Sequence, residues 1–243
     1  MLTIAAGLPK VRRMRSPDAA GLQDLLADIA AAARIAPFPL DRAAYAAAGR
    51  EPHAPILCAG SLAAGLGVMG RDLGRQEVLR GEPLCGAAGR HLRRGLFRFH
   101  HGRLPADAAE LDTVLARVLL TNTVPFKPPG NKPYGPEVVE RFRPFVERLL
   151  VCHWQGADLI PLGAGALAWF TPYAPDGAVA ALAGDPARFE KSLEVKITAR
   201  DAAGRERLKA VHLHPLPHPS PLNVRYFKAF PALLAARLER LKA

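Results

Sequence analysis

"ADLIPLGAGALAWF", residues 157–170, decides the fold class. Leu159 and Ile160 sit in a short apolar run of strand length. Gly163 and Gly165 interrupt it, and the alanine-rich stretch after them reads as a helix. Strand, glycine turn and helix in fourteen residues mark a chain that alternates the two elements. The alternation continues on both sides. Residues 19–35, after Pro17 and Asp18, space their Leu, Ile and Ala residues as a helix. "AAGLGVMG" (63–70) reads as a buried strand running into a loop, 86–99 as a helix, and "VLARVLLTN" (114–122) as a buried strand with a polar end. Residues 135–150 form a helix with Pro136 in its first turn, Val138, Phe142, Phe145 and Leu149 on one face, and a kink at Pro144. Residues 192–200 and 206–214 flank the turn Asp201-Ala202-Ala203-Gly204 and predict a hairpin. Residues 230–242 close the chain as an amphipathic helix. This pattern predicts an α/β protein, a three-layer α/β/α sandwich around a central, mostly parallel sheet. With no repeat or linker, residues 17–243 are expected to form one domain behind a basic arm at 1–16.

Composition narrows the partners. The chain has 243 residues, 49% of them hydrophobic, enough for a substantial core. Its 33 basic and 22 acidic residues leave a net charge of +11, which favours a polyanionic partner. Cys58, Cys85 and Cys152 form no CxxC pair, which fits a reducing, cytoplasmic setting. The N-terminal charges follow the apolar start, the wrong order for a signal peptide. Nothing resembles a membrane span.

Sheets of this kind place their chemistry in loops at the C-terminal ends of strands. Three loops stand out: "MGRDLGRQEVLRGEPLCGAAG" (69–89), "LLTNTVPFKPPGNKP" (119–133) and "HPLPHPSPLNVRYF" (214–227). In the third, Pro215, Pro217, Pro219 and Pro221 stiffen an extended segment that carries His214 and His218. Its tip is Ser220, Pro221, Leu222 and Asn223.

Together the three loops resemble the uracil-DNA glycosylase superfamily. "HPSPLN" is similar to its histidine-bearing DNA-intercalation motif. "TNTVPFKPPGNKP" resembles a segment of the thermostable family-four members. The glycines of the first loop, Gly70, Gly74, Gly81, Gly86 and Gly89, match a family-four segment, whereas Asp72 in "GRDLG" looks more like the family-one "GQDP" motif. The resemblance implies a DNA glycosylase that flips uracil out of DNA, hydrolyses its N-glycosidic bond and leaves an abasic site for base-excision repair. The expected partner is double- or single-stranded DNA, and the protein is expected to act as a monomer in the cytoplasm, at the bacterial nucleoid.

Such a reaction develops positive charge on the sugar and negative charge on the departing base. The resemblance assigns Asp72 to the sugar and to water, and His218, as a neutral donor, to a uracil carbonyl. Asn122 matches the recognition asparagine, with Gly70, Arg71 and Leu84 completing the uracil pocket. Pro128, Pro129, Gly130 and Asn131 press the DNA backbone from one side. Ser220, Pro221, Leu222 and Asn223 act from the other, with Leu222 filling the vacated stack.

Three departures stand out. Family-four members carry an iron–sulfur cluster, and two of its cysteine positions are occupied here by Phe126 and Phe142. The N-terminal cysteine pair is also missing, so no cluster and no other cofactor is expected. Leu84 replaces an aromatic residue that stacks on uracil, and Arg71 replaces Glu or Gln. Two competing functions are a uracil-DNA binder, non-catalytic or covalently trapping, and a glycosylase for hypoxanthine or xanthine. A third is a structural DNA-binding protein, which leaves the three loops unexplained.

Other patterns carry less. His212, His214 and His218 lack a Cys or carboxylate at metal-site spacing. "GLGVMG" (65–70) fits GxGxxG without the strand–loop–helix context of a nucleotide site. His100 and His101 read as a solvated loop, and Trp154 and Trp169 as core or interface rather than platforms for a base.

Overall fold

The computed structural model describes residues 19–130 and 132–242. The basic arm and Asn131 lie outside the described residues. The first half of the chain runs α1 (Ala19–Ile35), α2 (Arg42–Ala47), β1 (Cys58–Gly60), β2 (Leu66–Gly70), α3 (Arg75–Arg80), α4 (Ala87–His101), α5 (Ala108–Leu111) and β3 (Val118–Asn122). The second half runs α6 (Pro136–Arg148), β4 (Asp158–Pro161), α7 (Ala164–Ala168), α8 (Ala178–Gly184), β5 (Leu193–Arg200), β6 (Glu206–Leu213), α9 (Val224–Phe227) and α10 (Phe230–Leu241). No helix among the described residues is long and apolar enough to cross a membrane.

The six strands form one sheet in the order β1-β3-β2-β4-β6-β5. The four central strands are parallel, and β1 and β5 are antiparallel edges. β2 and β3 are buried along their whole length, as expected of parallel strands covered on both faces. Alternate residues serve opposite faces. Met69, Leu119 and Leu159 enter a core beneath α1 and α6, while Val68, Leu120 and Ile160 enter a second core beneath α4 and α10. The α/β/α sandwich is thus the observed architecture.

Most elements fall where the sequence puts them. The hairpin turns where expected: Asp201 Oδ1 accepts from the backbone N–H groups of Ala203 and Arg205, both at 3.0 Å. Four details differ. The strand expected from residue 114 begins at Val118, because Asp112–Ala116 closes a 3₁₀ turn first. The helix at 136 runs through the exposed Pro144 to Arg148, then widens into a π-helical turn at Leu149–His153. His100 and His101 belong to the last turn of α4, and the His101 ring stacks on Phe97 at 4.2 Å. The short elements β1, α2, α3, α5 and α8 were not legible in the sequence, since each is too short to show a period. Residues 65–70 lie largely on β2, with Gly67 packed beneath Trp154 and Leu159 and Gly70 against Asn122, so these two glycines serve close packing. Trp154 and Trp169 are buried, as expected.

Phe126 and Phe142, distant in sequence, are fully buried with ring centroids 5.0 Å apart. Phe38 joins both, at 5.3 and 5.2 Å, and the Arg141 guanidinium covers Phe38 and Phe142 at 5.3 and 5.4 Å. The loop after β3 is thereby anchored to α6 by aromatic packing.

Candidate active site

The parallel strands all deliver their C-terminal ends to one edge of the sheet, and a cleft of about 600 Å³ opens there. It is lined by residues from all three singled-out loops: Gly70, Arg71, Asp72 and Leu84 from the first, Asn122, Pro128 and Gly130 from the second, and His218, Ser220 and Pro221 from the third. Pro129, Leu222 and Asn223 do not line it, although Pro129 and Leu222 are exposed.

Asn122 ends β3 directly opposite Gly70 at the end of β2. It is 1% exposed, yet neither Nδ2 nor Oδ1 has a hydrogen-bond partner among the described residues. A buried amide left unpaired costs about 1–3 kcal/mol per group. The missing Cβ of Gly70 makes the placement possible, because a Cβ there would come within 2.3 Å of Asn122 Oδ1. The result is one donor and one acceptor, side by side and unused, at a cleft wall.

Asp72 follows Gly70 by two residues. Its Oδ2 accepts from Arg71 Nε at 2.6 Å. The turn is held by Thr123, whose hydroxyl donates to the Arg71 carbonyl at 2.6 Å and whose N–H lies 3.1 Å from the carbonyls of Gly70 and Arg71.

His218 faces the cleft from the opposite side. The third loop first continues β6 alongside β4 through the bridge between Leu162 and Leu216, and the Gly163 N–H donates to the Leu216 carbonyl at 2.8 Å. Gly163 has φ +83°, and a Cβ on it would lie 3.1 Å from His218 Cβ, so glycine admits both the turn and the histidine. The His218 ring stays open to the cleft. Burial of its surroundings, then the Arg71 charge, lower its pKa below the usual 6.5. Asn223 turns back on its own loop and donates through Nδ2 to the His218 carbonyl at 3.0 Å, bracing the loop rather than lining the cleft. Leu222, 90% exposed, projects from this brace.

His214 is engaged elsewhere. It is buried, with Nε2 2.8 Å from Asp158 Oδ1 and Nδ1 2.7 Å from Ser192 Oγ. His212 is exposed near Glu194. Among the described residues no three His, Cys, Asp or Glu side chains converge as metal ligands. The positions matched to cluster cysteines hold packed phenyl rings, so the donor set does not fit an iron–sulfur cluster.

Sequence reasoning missed the charges that shape these loops. Lys127 of "KPPGN" turns inward: its Nζ donates to the carbonyls of Pro128 and Gly130 at 2.8 and 2.7 Å and pairs with Asp41 at 2.8 Å. Pro128 is buried beside it, leaving Pro129 and Gly130 on the surface. Glu77, also buried, accepts from the N–H groups of Gly74 and Leu84. Burial raises its pKa, and those two bonds and the Arg93 charge oppose the rise. Arg93 Nε donates to the Leu84 carbonyl at 2.9 Å, and its guanidinium pairs with Glu82 and Asp112. Leu84 is thus gripped at both its N–H and its C=O, and it adopts φ +51°, a left-handed conformation costly for leucine. This turn brings Leu84 Cδ2 to 3.2 Å from the ideal Cβ position on Gly70, beside Asn122. The only sequence signal was Glu at the third helical position of α3, where a carboxylate reaches back to the cap.

The sequence model of the uracil DNA glycosylase superfamily matches residues 59–242. No curated protein matches the chain.

The clamp on Leu84 yields a test. Glu77→Gln turns one acceptor into a donor facing a backbone N–H, and should cost about 1–3 kcal/mol in urea denaturation. In a Leu84→Gly background the cost should shrink, because glycine adopts positive φ unaided. Equal costs in both backgrounds would separate Glu77 from the conformation of Leu84.

Proposed function

The chain belongs to the uracil-DNA glycosylase superfamily, and from that premise we propose that it hydrolyses the N-glycosidic bond of uracil in DNA. The carrying observation is the buried, unpartnered amide of Asn122. Uracil presents an N–H and an adjacent carbonyl on one edge, which complement Oδ1 and Nδ2. A flipped base that enters the cleft satisfies both groups at once. Leu84 packs against the base, and the backbone at Gly70 and Arg71 faces a carbonyl. Asp72 stabilises the sugar cation and orients water. His218, neutral at pH 7 because its pKa is lowered, donates a hydrogen bond to the carbonyl that gains charge as uracil leaves.

The exposed Leu222 supports a wedge role, with Ser220 and Pro221 gripping one stretch of phosphate and Pro129 and Gly130 pressing another. The +11 charge supplies general phosphate attraction. In this reading the protein uses no iron–sulfur cluster, and the rings of Phe38, Phe126 and Phe142 take over its bracing. Purified protein should then be colourless, with iron far below one atom per chain by elemental analysis; stoichiometric iron would defeat this part of the reading.

The Arg71–Asp72 ion pair favours a second reading, a protein that holds uracil-DNA without excising it. Incubation with uracil-containing oligonucleotides, followed by alkaline cleavage and a search for covalent adducts, separates the two. Abasic sites support the glycosylase. Parallel substrates with hypoxanthine or xanthine set its range.

Within the glycosylase reading, His218→Ala should lower the single-turnover rate by about 10²–10³, the usual worth of one donor to a developing anion. His214→Ala should act mainly on stability, since its partners are Asp158 and Ser192. Neutral His218 is the active form, so activity should hold from pH 7 down past 6.5 and fall only below it. An acid limb above 6.5 would contradict this.

Leu222→Ala should slow excision from duplex DNA more than from single strands, where no stack has to be refilled. Because Leu222 is almost fully exposed, its removal should leave the melting temperature unchanged. Equal slowing on both substrates would rule out the wedge.

A further inference from the structure

Arg71 shares the cleft with the two residues on which the proposed reaction relies, Asp72 and His218. Its Nε donates to Asp72 Oδ2 at 2.6 Å. Its stem crosses Gly165, with Cδ 2.5 Å from where a Cβ on that glycine would sit. Its charge also reaches His218. Arg71, Asp72, Gly165 and His218 line the same cleft.

This arrangement conflicts with catalysis as it stands. A carboxylate bound to a guanidinium has much of its charge neutralised, and loses the power to stabilise a sugar cation. Yet the pair is poorly protected. The Arg71 side chain is 49% exposed, against 13% for Asp72, and ion pairs open to water hold weakly. A phosphodiester offers a guanidinium a strong alternative acceptor with matching fork geometry. A nucleotide whose sugar lies beside Asp72 brings such a phosphodiester on each side of that sugar.

We propose that Arg71 is a phosphate-exchanged latch, resting on Asp72 in the free protein and moving to a phosphodiester that flanks the flipped nucleotide. The exchange frees the carboxylate beside the sugar when DNA fills the cleft, and leaves it masked otherwise. Lysine would serve less well, as a point charge without the planar fork. This inference rests on the glycosylase reading and adds to it a phosphodiester site and a reason why excision depends on DNA.

The test uses single-stranded oligonucleotides with one uracil, flanked either by native phosphodiesters or by uncharged methylphosphonates. Single-turnover excision is measured for wild type, Arg71→Gln and Arg71→Lys, with melting temperatures beside each rate. For wild type, neutralising the flanking linkages should slow excision about tenfold, the worth of one charge-assisted hydrogen bond. For Arg71→Gln the penalty should shrink to about threefold or less, and Arg71→Lys should fall between them. Equal penalties in wild type and a folded Arg71→Gln variant would overturn the latch. So would an acceleration of both substrates alike, which would make Arg71 a permanent brake. If Arg71→Gln does not fold, the comparison of wild type with Arg71→Lys decides by the same criterion. Failure of the wild type to release uracil from the native oligonucleotide would instead overturn the glycosylase reading, and the latch with it.

Discussion

The parallel pairing of β2 with β3 in the register Gly70 to Asn122 is the constraint on which the site depends. It carries two loops, distant in sequence, to one edge of the sheet and sets the amide of Asn122 against the bare backbone of Gly70. A slip of one residue would send Asn122 to the opposite face and set a threonine, Thr121 or Thr123, opposite Gly70 in its place. The burial of both strands makes such a slip costly, because Met69 and Leu119 fill one core and Val68 and Leu120 the other. Thr123 then closes the arrangement by binding the carbonyls of Gly70 and Arg71.

Buried polar groups divide into two kinds around this register. Glu77, Arg93 and Lys127 are buried charges with bonds to backbone or to opposite charges, and each shapes a cleft loop. Asn122 is buried with its amide unused. Native proteins satisfy nearly all such groups. An unsatisfied one at a cleft wall, beside neighbours that are satisfied, is a local inconsistency of the kind that function explains.

The distribution of charge follows the same division. Lys127 contributes to the net charge, but its ammonium is bound to carbonyls of its own loop and to Asp41 at the start of α2. Arg71, Lys132, Arg225 and Lys228 are exposed on the cleft loops, on α9 and just after it, where phosphate can reach them. Salt should therefore weaken DNA binding through these surface groups, while the Lys127–Asp41 pair, withdrawn from solvent, persists. Behind the β3 loop, the rings of Phe38, Phe126 and Phe142 pack that loop against α6.

Sequence alone determined the alternation of strands and helices, the hairpin at Asp201–Gly204, and the three loops that meet in the cleft. These are local signals, because apolar spacing, glycine turns and proline runs constrain the residues that carry them. The resemblance placed Gly70, Asp72, Asn122 and His218, and the structure gathers all four around one cleft. Tertiary structure decided the rest. The inward turn of Lys127 toward Asp41 and the grip of Glu77 and Arg93 on Leu84 depend on which elements pack together. Even the bond between the neighbours Arg71 and Asp72 depends on a stem that packs against Gly165, nearly a hundred residues away. A charged side chain shows in sequence as solvated by default; only packing reveals which ones the fold has withdrawn from water and bound to its own backbone.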